Sequence, residues 1–287
     1  MAHKAVLKPL IRKGAYTDVP DELTDESFSG RQFITALARG LDVLGAFCIG
    51  DPPLSNQELA KRCQLPRPTI SRITRTLTEL GYLSYHEGFG CYELGGAMLS
   101  LGHVARNSFQ ALEDAIPVMN ELANFSNANV GIGMRDRLSM VYLVVREAPS
   151  GIGLRFGTGS KVPIIHTAMG LAYLAGIERK ILQGLESRLL KKYANESIKV
   201  KGVIAAAREE YEAQGFCSST GGWHPEVNGI ATPIPWPAVA DMLVLNCGAP
   251  ASLMSKERML GEIGPRLIET AREIGKLLTA TDVTKVY

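Results

Sequence analysis

Apolar residues recur at three- and four-residue steps near the start of the chain. Between residues 31 and 48 this spacing is kept by five side chains: Phe33, Leu37, Leu41, Leu44 and Phe47. The period predicts an amphipathic helix whose buried face carries these five residues. Residues 1–30 show no such period and change from basic to acidic, which favours a mobile N-terminal tail.

Helix-start signals divide the next apolar pattern. Ser55 and Glu58 have the spacing of a capping box, and Leu54 and Leu59 have that of a hydrophobic staple. A short second helix is therefore expected to begin at Ser55. The tight turn QLP follows it, and Pro68 suits the first position of a third helix, because no N–H is needed there for the hydrogen-bond ladder.

The third helix has two chemically different sides. At about 100° per residue, one side is apolar and is predicted to face the core: Ile70, Ile73, Leu77 and Leu80. The other side is polar, and the segment from Lys61 to Arg75 contains five basic residues and no acidic one. Taken alone, such arginines favour an ordinary solvated surface.

A β-hairpin is predicted after this helix. Gly81 is placed as a helix stop. The residues that alternate around the following glycine-rich turn are Leu83, Tyr85, Tyr92 and Leu94. Three helices followed by a hairpin are the order of a winged helix-turn-helix domain, which we assign to residues 31–95.

This context gives the polar side of the third helix a second interpretation. A helix-turn-helix places its second helix in the major groove, where arginine bonds guanine and hydroxyl groups bond bases or phosphates. The predicted DNA contacts are Arg67, Pro68, Thr69, Ser71, Arg72 and Arg75, with His86 of the hairpin as a phosphate ligand. A hairpin histidine is also compatible with simple exposure, and a winged helix with contact to protein instead of DNA.

The second half of the chain has a different pattern of apolar and polar residues. Residues 96–126 read as helical, with 96–112 as a linker helix, and residues 113–287 are assigned to an effector-binding domain. Its short β-type runs begin at Asn129. Further helices are expected at 167–192 and 202–214, strands at 227–234 and 239–247, and a closing helix from Ser255 to Leu278. The predicted fold class is α+β.

Composition limits the function classes. The chain is 46% hydrophobic and 21% charged, as in ordinary globular proteins, and a net charge of +2 means that affinity for phosphate must come from a local patch. The five cysteines form no C-x-x-C pair and no cluster with metal-ligand spacing, so we expect no metal site and no cofactor. Free thiols favour a cytoplasmic protein, and no run of about 18 apolar residues predicts a membrane span.

The second half also contains residue types that serve as nucleophiles and bases. These are His166, His224, Cys217, Ser218 and Ser219. They stand in no G-x-S-x-G, P-loop, H-E-x-x-H or dinucleotide-binding pattern. We therefore assign no catalytic residue and expect a protein that is not an enzyme.

Several segments together carry a family resemblance: LARGLDVLGAF, LSNQELAKRCQLPRPTISRITRTLTELGYL, YELGGAMLSLG, PIIHTAMGLAYLAG and GFCSS…NGIATPI. They resemble, in this order, segments of IclR-type bacterial transcriptional regulators, over residues 33–280. The resemblance implies an N-terminal winged helix-turn-helix, a linker helix and a C-terminal GAF-like α/β domain that binds a small effector. It implies homodimers or dimers of dimers on double-stranded promoter DNA. It also implies effector contacts at Ala168, Met169, Ser219, Gly229, Leu245 and Cys247.

Departures from the family pattern indicate the kind of effector. The implied contacts offer few groups to balance a small, doubly charged oxo acid, which favours a larger and more apolar ligand such as an aromatic or other organic-acid catabolite. Trp223 is a candidate stacking or lid residue, and equally a candidate core or interface residue. The small residues of HTAMG fit either close approach to a ligand or close helix-to-sheet packing. We predict an effector-responsive regulator, either a repressor or an activator.

Overall fold

The computed structural model describes residues 33–48, 50–107, 109–151, 153–154, 156–235 and 242–282. By its internal contacts the chain divides into two compact units, Met1–Ser108 and Phe109–Tyr287. The predicted tail at residues 1–30 lies outside the described residues. No helix in the described ranges is both long and apolar enough to cross a bilayer.

The first unit is a three-helix fold with a small sheet. Its elements are α1 (Thr35–Gly45), β1 (Leu54–Ser55), α2 (Asn56–Cys63), α3 (Arg67–Glu79), β2 (Leu83–His86), β3 (Cys91–Leu94) and α4 (Gly96–Asn107). The strands are antiparallel in the order β1-β3-β2. The core consists of Val43, Ala46, Leu54, Leu59, Ile70, Leu77 and Leu83. This is the predicted winged helix-turn-helix order.

Local signals located the helix ends well. Ser55 Oγ accepts a hydrogen bond from Glu58 N over 3.2 Å, as the capping spacing predicted. Gly81 follows α3 with φ +75°, a conformation that glycine adopts without steric cost. The third helix starts at Arg67, one residue before the predicted start, and Pro68 lies in its first turn.

The predicted buried face of α1 is wrong. Leu37 and Leu41 are 59% and 54% exposed, whereas Ala38 and Val43 face the core. Only the end of the predicted stripe, including Leu44, packs partly against that core. The helix carries two neighbouring apolar stripes, and because both repeat with the helical period, the pattern alone does not reveal which stripe meets α3.

One residue of the predicted inner side of α3 is also placed differently. Ile70 and Leu77 are buried and Ile73 packs partly against the core, but Leu80 is 60% exposed. Leu80 is the C-cap residue, where the chain leaves the helix towards Gly81. Thr74, a polar residue, occupies a fully buried position on α3 instead.

An ion pair ties α2 to the turn after α1. The Arg62 guanidinium contacts both carboxylate oxygens of Asp51, donates to Ala46 O over 2.9 Å and bonds Glu58. The two paired side chains are only 13% and 16% exposed. The hydrogen bonds that Arg62 donates to Asp51 raise the pKa of Arg62. Cys48 N also donates to Asp51 Oδ2 over 2.8 Å, so this carboxylate contacts both α2 and the backbone at Cys48.

Asp51→Ala is expected to lower the free energy of unfolding of the first unit by about 2 to 3 kcal/mol, because it leaves a largely buried guanidinium with only the more exposed Glu58 carboxylate as a partner. Urea denaturation checks this. Glu79→Ala is the matched control: its Arg75 partner is 82% exposed, so the change should stay below about 0.5 kcal/mol. Equal effects in the two variants would contradict a structural role for the Asp51 pair.

The second unit is built on one antiparallel sheet. Its helical elements are a 3₁₀ segment (Gln110–Ala115), α5 (Ile116–Ser126), α6 (Ala168–Gly176), α7 (Arg179–Lys192), a second 3₁₀ segment (Ala194–Glu196), α8 (Ser197–Gln214), α9 (Lys256–Arg258), a π-helical turn (Met259–Ile263) and α10 (Gly264–Asp282). Its strands are β4 (Asn129–Asp136), β5 (Ser139–Arg146), β6 (Lys161–Pro163), β7 (Cys217–Thr220), β8 (Val227–Pro233) and β9 (Leu243–Pro250). The strand order is β6-β5-β4-β9-β8-β7.

The two faces of this sheet have different roles. One face packs against α5 and α10 and forms the main core, which contains Val130, Ile132, Leu245 and Cys247. The other face carries the start of α6. The single helix expected over 167–192 is two helices, α6 and α7, and the region 96–126 is likewise broken after Asn107. Ser255 caps α9 as predicted, accepting from Arg258 N over 3.3 Å.

Candidate nucleic-acid interface and effector site

The outer face of α3, defined by its polar residues 67–75, collects most of the predicted DNA contacts. The exposed residues there are Arg67, Pro68, Ser71, Arg72 and Arg75, while Thr69 is half-buried. Among the described residues, no carboxylate lies within ion-pair distance of Arg67 or Arg72. Arg75 differs, because its Nε donates to Glu79 Oε1 over 2.9 Å. Two cations at the start of the helix are therefore available to an external anion.

The wing, which we define as the hairpin of residues 83–94, presents a different chemistry. His86 Nε2 lies 3.1 Å from Glu93 Oε1, on the neighbouring strand of the same hairpin. The structure therefore places His86 beside a carboxylate of its own hairpin. At the tip, Phe89 is 86% exposed and its N–H donates to His86 O over 3.1 Å.

The start of α6 brings several predicted effector residues together on the sheet. Thr167 caps the helix: its Oγ1 accepts from Gly170 N over 3.3 Å and donates to Pro163 O over 2.8 Å. Ala168 then lies over Gly229, where an added methyl group would meet the Ala168 Cβ at 3.6 Å. The neighbouring Met169 fills the space over Gly133 with its thioether. A glycine in each of these strands lets the helix approach the sheet closely.

Ser219 joins this group from the edge of the sheet. It stands opposite Gly229 in the β7–β8 ladder. Its Oγ donates to His166 O over 3.1 Å, just before α6 begins. The structure thus brings together four of the predicted effector residues, Ala168, Met169, Ser219 and Gly229, around the first turn of α6.

An aromatic row, consisting of Trp223, Phe156 and Tyr142, lies on the same face of the sheet. The ring centroids of Trp223 and Phe156 are 5.6 Å apart, and those of Phe156 and Tyr142 are 5.2 Å apart and stacked. Both spacings suit attractive ring contacts. The row ends at Asn246, whose Nδ2 donates to the Tyr142 hydroxyl over 3.2 Å. Trp223 is therefore part of an ordered aromatic set.

Asn246 is a buried amide that the sequence analysis missed. Its side chain lies over Gly131, and the residue is 8% exposed. Its Oδ1 has no hydrogen-bond partner within the part of the chain that the structure describes. Buried polar atoms are nearly always paired, so this unpaired acceptor is exceptional and is a candidate for a hydrogen bond from a ligand. A single amide inside the apolar run LVLNCG was the available sequence signal.

Leu245 and Cys247, the two predicted effector positions on β9, lie apart from this group. Both side chains point to the opposite face of the sheet and pack in the core with α5 and α10. Burial there raises the pKa of the Cys247 thiol to about 12. Successive residues of a strand face opposite sides, so a shift of one position exchanges the two sets. On β9 the residue that faces the α6 side is Asn246.

Sequence models of two domains match the chain. The IclR helix-turn-helix domain matches residues 36–87, and the bacterial transcriptional regulator IclR C-terminal domain matches residues 104–276. The chain belongs to the IclR family of bacterial transcriptional regulators. The fold class predicted from the sequence is confirmed, with an N-terminal helix-turn-helix and a C-terminal effector-binding domain.

Relatives in the IclR family extend over most of the chain. It is 30% identical to the HTH-type transcriptional regulator TsaQ1/TsaQ2 of Comamonas testosteroni, covering 90% of this chain and 92% of that protein. It is 23% identical to the p-hydroxybenzoate hydroxylase transcriptional activator of Acinetobacter baylyi, covering 89% and 96%. A crystal structure of an IclR family regulator from Brucella abortus has a TM-score of 0.76 at 35% identity, covering 88% and 93%.

The residues considered above as nucleophiles and bases belong to a family of regulators, and the structure shows what they contact. These relatives are transcriptional regulators. Cys217 is fully buried, its Sγ bonds Ala207 O over 3.2 Å, and burial raises its pKa. Ser218 Oγ donates to Glu210 Oε1 over 2.5 Å, and the His166 ring packs edge-on against Tyr193 at 5.5 Å. Within the described ranges, no group of three His, Cys, Asp or Glu side chains is placed to hold a metal ion.

Proposed function

We propose that the outer face of α3 reads the operator of this regulator in the major groove. The supporting observation is that Arg67 and Arg72 stand exposed beside Ser71 at the first two turns of the helix. Arginine bonds guanine O6 and N7 with two parallel hydrogen bonds, and the serine hydroxyl suits either a base or a phosphate. Arg75, Pro68 and Thr69 flank these contacts. We also propose His86 of the wing as a phosphate ligand. To bind a phosphate, its ring has to leave Glu93.

Two copies of the chain are proposed to bind two half-sites. Large apolar side chains lie exposed on two helices of the first unit, Leu37 and Leu41 on α1 and Leu99 on α4, which is 79% exposed. A second copy would remove these side chains from water and present a second α3 about 10 base pairs away. The assembly is a homodimer, or a dimer of dimers, that acts on promoter DNA in the cytoplasm.

The proposed effector is an aromatic acid bound between the start of α6 and the aromatic row. An aromatic ligand ring would lie beside Trp223 and Phe156, and the first-turn N–H groups of Ala168 and Met169 suit a carboxylate. Asn246 Oδ1 would accept a hydrogen bond from a ligand hydroxyl. Ser219 and Gly229 complete the wall of the site. The name of the Acinetobacter baylyi relative, an activator for p-hydroxybenzoate hydroxylase, points to the same ligand class.

Effector binding is proposed to change the affinity for the operator. The change equals the difference in effector affinity between the DNA-competent and incompetent states of the protein. The state that the ligand favours decides whether the ligand strengthens or weakens operator binding. The effector domain can therefore regulate operator binding without contacting the DNA itself.

Saturating 4-hydroxybenzoate is expected to raise the melting temperature of the second unit by about 5 °C, because a ligand at 100 times its Kd adds about 2.7 kcal/mol to the stability. Differential scanning fluorimetry measures the shift. Trp223→Ala is expected to weaken binding about tenfold through lost ring contact, and Asn246→Leu about fivefold through one lost hydrogen bond.

Phe125→Ala is the control for this experiment, since Phe125 is an aromatic residue on α5 with 46% exposure and should leave the ligand response unchanged. Stabilisation by glyoxylate or pyruvate, together with no response to aromatic acids, would contradict the proposed ligand class. If both site variants respond to the ligand as the wild type does, the effector binds at another place in the protein.

A further inference from the structure

A hydrogen-bonded bridge joins the first residue of α2 to the outer face of α3. Asn56 Nδ2 donates to Ser71 Oγ over 3.3 Å, and Asn56 Oδ1 accepts from Thr74 Oγ1 over 3.1 Å. Thr74 is fully buried, whereas Ser71 is exposed. The bridge therefore runs from the core of the first unit to a side chain on its surface.

The bridge determines where the Ser71 hydroxyl lies and what it offers. A serine hydroxyl carries one proton and two acceptor lone pairs and rotates freely unless a partner holds it. Asn56 is itself held, because it directly follows the cap residue Ser55 and its amide is bonded to Thr74. Since Ser71 Oγ accepts from Asn56, its own proton remains available for donation to an external acceptor.

We infer that Asn56 is a positioning residue for base recognition by Ser71. This inference rests on the proposed function of α3. Held by Asn56, the Ser71 hydroxyl donates to an acceptor on a base edge in the major groove, such as guanine N7 or O6, adenine N7 or thymine O4. Asn56 contributes to sequence preference through Ser71.

This role separates the bridge from the arginines of the same face. Charged side chains that contact phosphates release counterions and so set the salt dependence of binding. Asn56 and Ser71 are neutral, so removing either one should leave that salt dependence unchanged. What should change is the preference for one base pair in each half-site.

The test uses the full chain and DNA duplexes that the wild type selects from a random-sequence pool. Asn56→Ala and Ser71→Ala are each expected to bind the selected duplex about fivefold more weakly, as for the loss of one hydrogen bond. Both should lose preference at the same base pair. The double variant is expected to bind no more weakly than Ser71→Ala, because the two residues act as one unit.

Gln57→Ala is the matched control, since it removes an exposed amide from the next position of α2 and should keep the selected sequence. An unchanged melting temperature of Asn56→Ala shows that the fold is intact. Retained base preference in Asn56→Ala, an equal loss of affinity for all duplexes, or additive losses in the double variant would overturn the positioning role while the proposed function stands. A wild-type chain that selects no sequence overturns both.

Discussion

Arg72→Ala is expected to weaken binding to the selected operator duplex by on the order of 100-fold, because a bidentate contact to guanine contributes about 1 to 3 kcal/mol and a dimer loses it twice. Arg72 is exposed and lies outside the buried side of α3, with no carboxylate of the described residues in ion-pair distance. The fold should therefore survive the substitution. Fluorescence anisotropy at one fixed salt concentration measures the loss.

Competition with unrelated DNA shows which contact was removed. Loss of a base contact reduces the preference for the operator over other sequences. Loss of a phosphate contact weakens binding to all sequences equally and lowers the slope of log affinity against log salt concentration by about one per copy. Arg272→Ala serves as the control, because Arg272 is an exposed arginine of α10 in the other unit. Affinity of Arg72→Ala equal to that of the wild type would rule out α3 as the reading helix.

Gly170→Ala is expected to destabilise the second unit by more than about 4 kcal/mol, which is the range of severe overpacking in a rigid core. An added methyl group would lie 2.5 Å from Ile164 Cα and closer still to the Ile164 carbonyl. These are backbone atoms, which do not rotate away as a flexible side chain does. The surrounding helix is buried from Ala168 to Ala175, apart from the half-buried Leu171. The added methyl group is therefore expected to push α6 away from the backbone of Ile164.

Gly184→Ala is the matched control in α7, where nothing lies within 4 Å of the added methyl group. That variant should gain about 0.5 to 1 kcal/mol from helix propensity. Urea denaturation followed by circular dichroism compares the two variants. Wild-type stability in Gly170→Ala would mean that α6 does not approach residue 164 so closely. The close approach itself favours the packing interpretation of this glycine in HTAMG.

Local chemistry made part of the fold predictable. The Ser55 cap, the Gly81 stop and the alternating hairpin residues depend on interactions among near neighbours in the chain, and the structure contains all three. The order of three helices and a hairpin followed from them. The first unit was therefore accessible from its sequence.

It was harder to predict which face of each element is buried. A helical period shows which side chains share a face, but it does not show which neighbouring element that face packs against. Leu37 and Leu80 satisfied the helical period and still lie on the surface. On β9 the predicted contacts Leu245 and Cys247 were one position away from Asn246, and one position on a strand changes the face. Tertiary contacts with α5 and α10 decided that register.

The aromatic row was beyond the reach of local reasoning for a different reason. Tyr142, Phe156 and Trp223 come from a strand and two separate loops, and only the folded sheet stacks their rings. Trp223 was selected for its residue type. The other two rings carried no signal that distinguished them from ordinary core aromatics.

The unpaired oxygen of Asn246 has a consequence for molecular discrimination. A binding group that is buried without a partner penalises every ligand that fails to satisfy it, and such sites reject analogues that lack one hydroxyl far more strongly than an apolar wall does. A phenolic acid and the same acid without its hydroxyl group would then be different signals. One amide in a strand would then let the regulator distinguish two aromatic acids that differ by a single hydroxyl group.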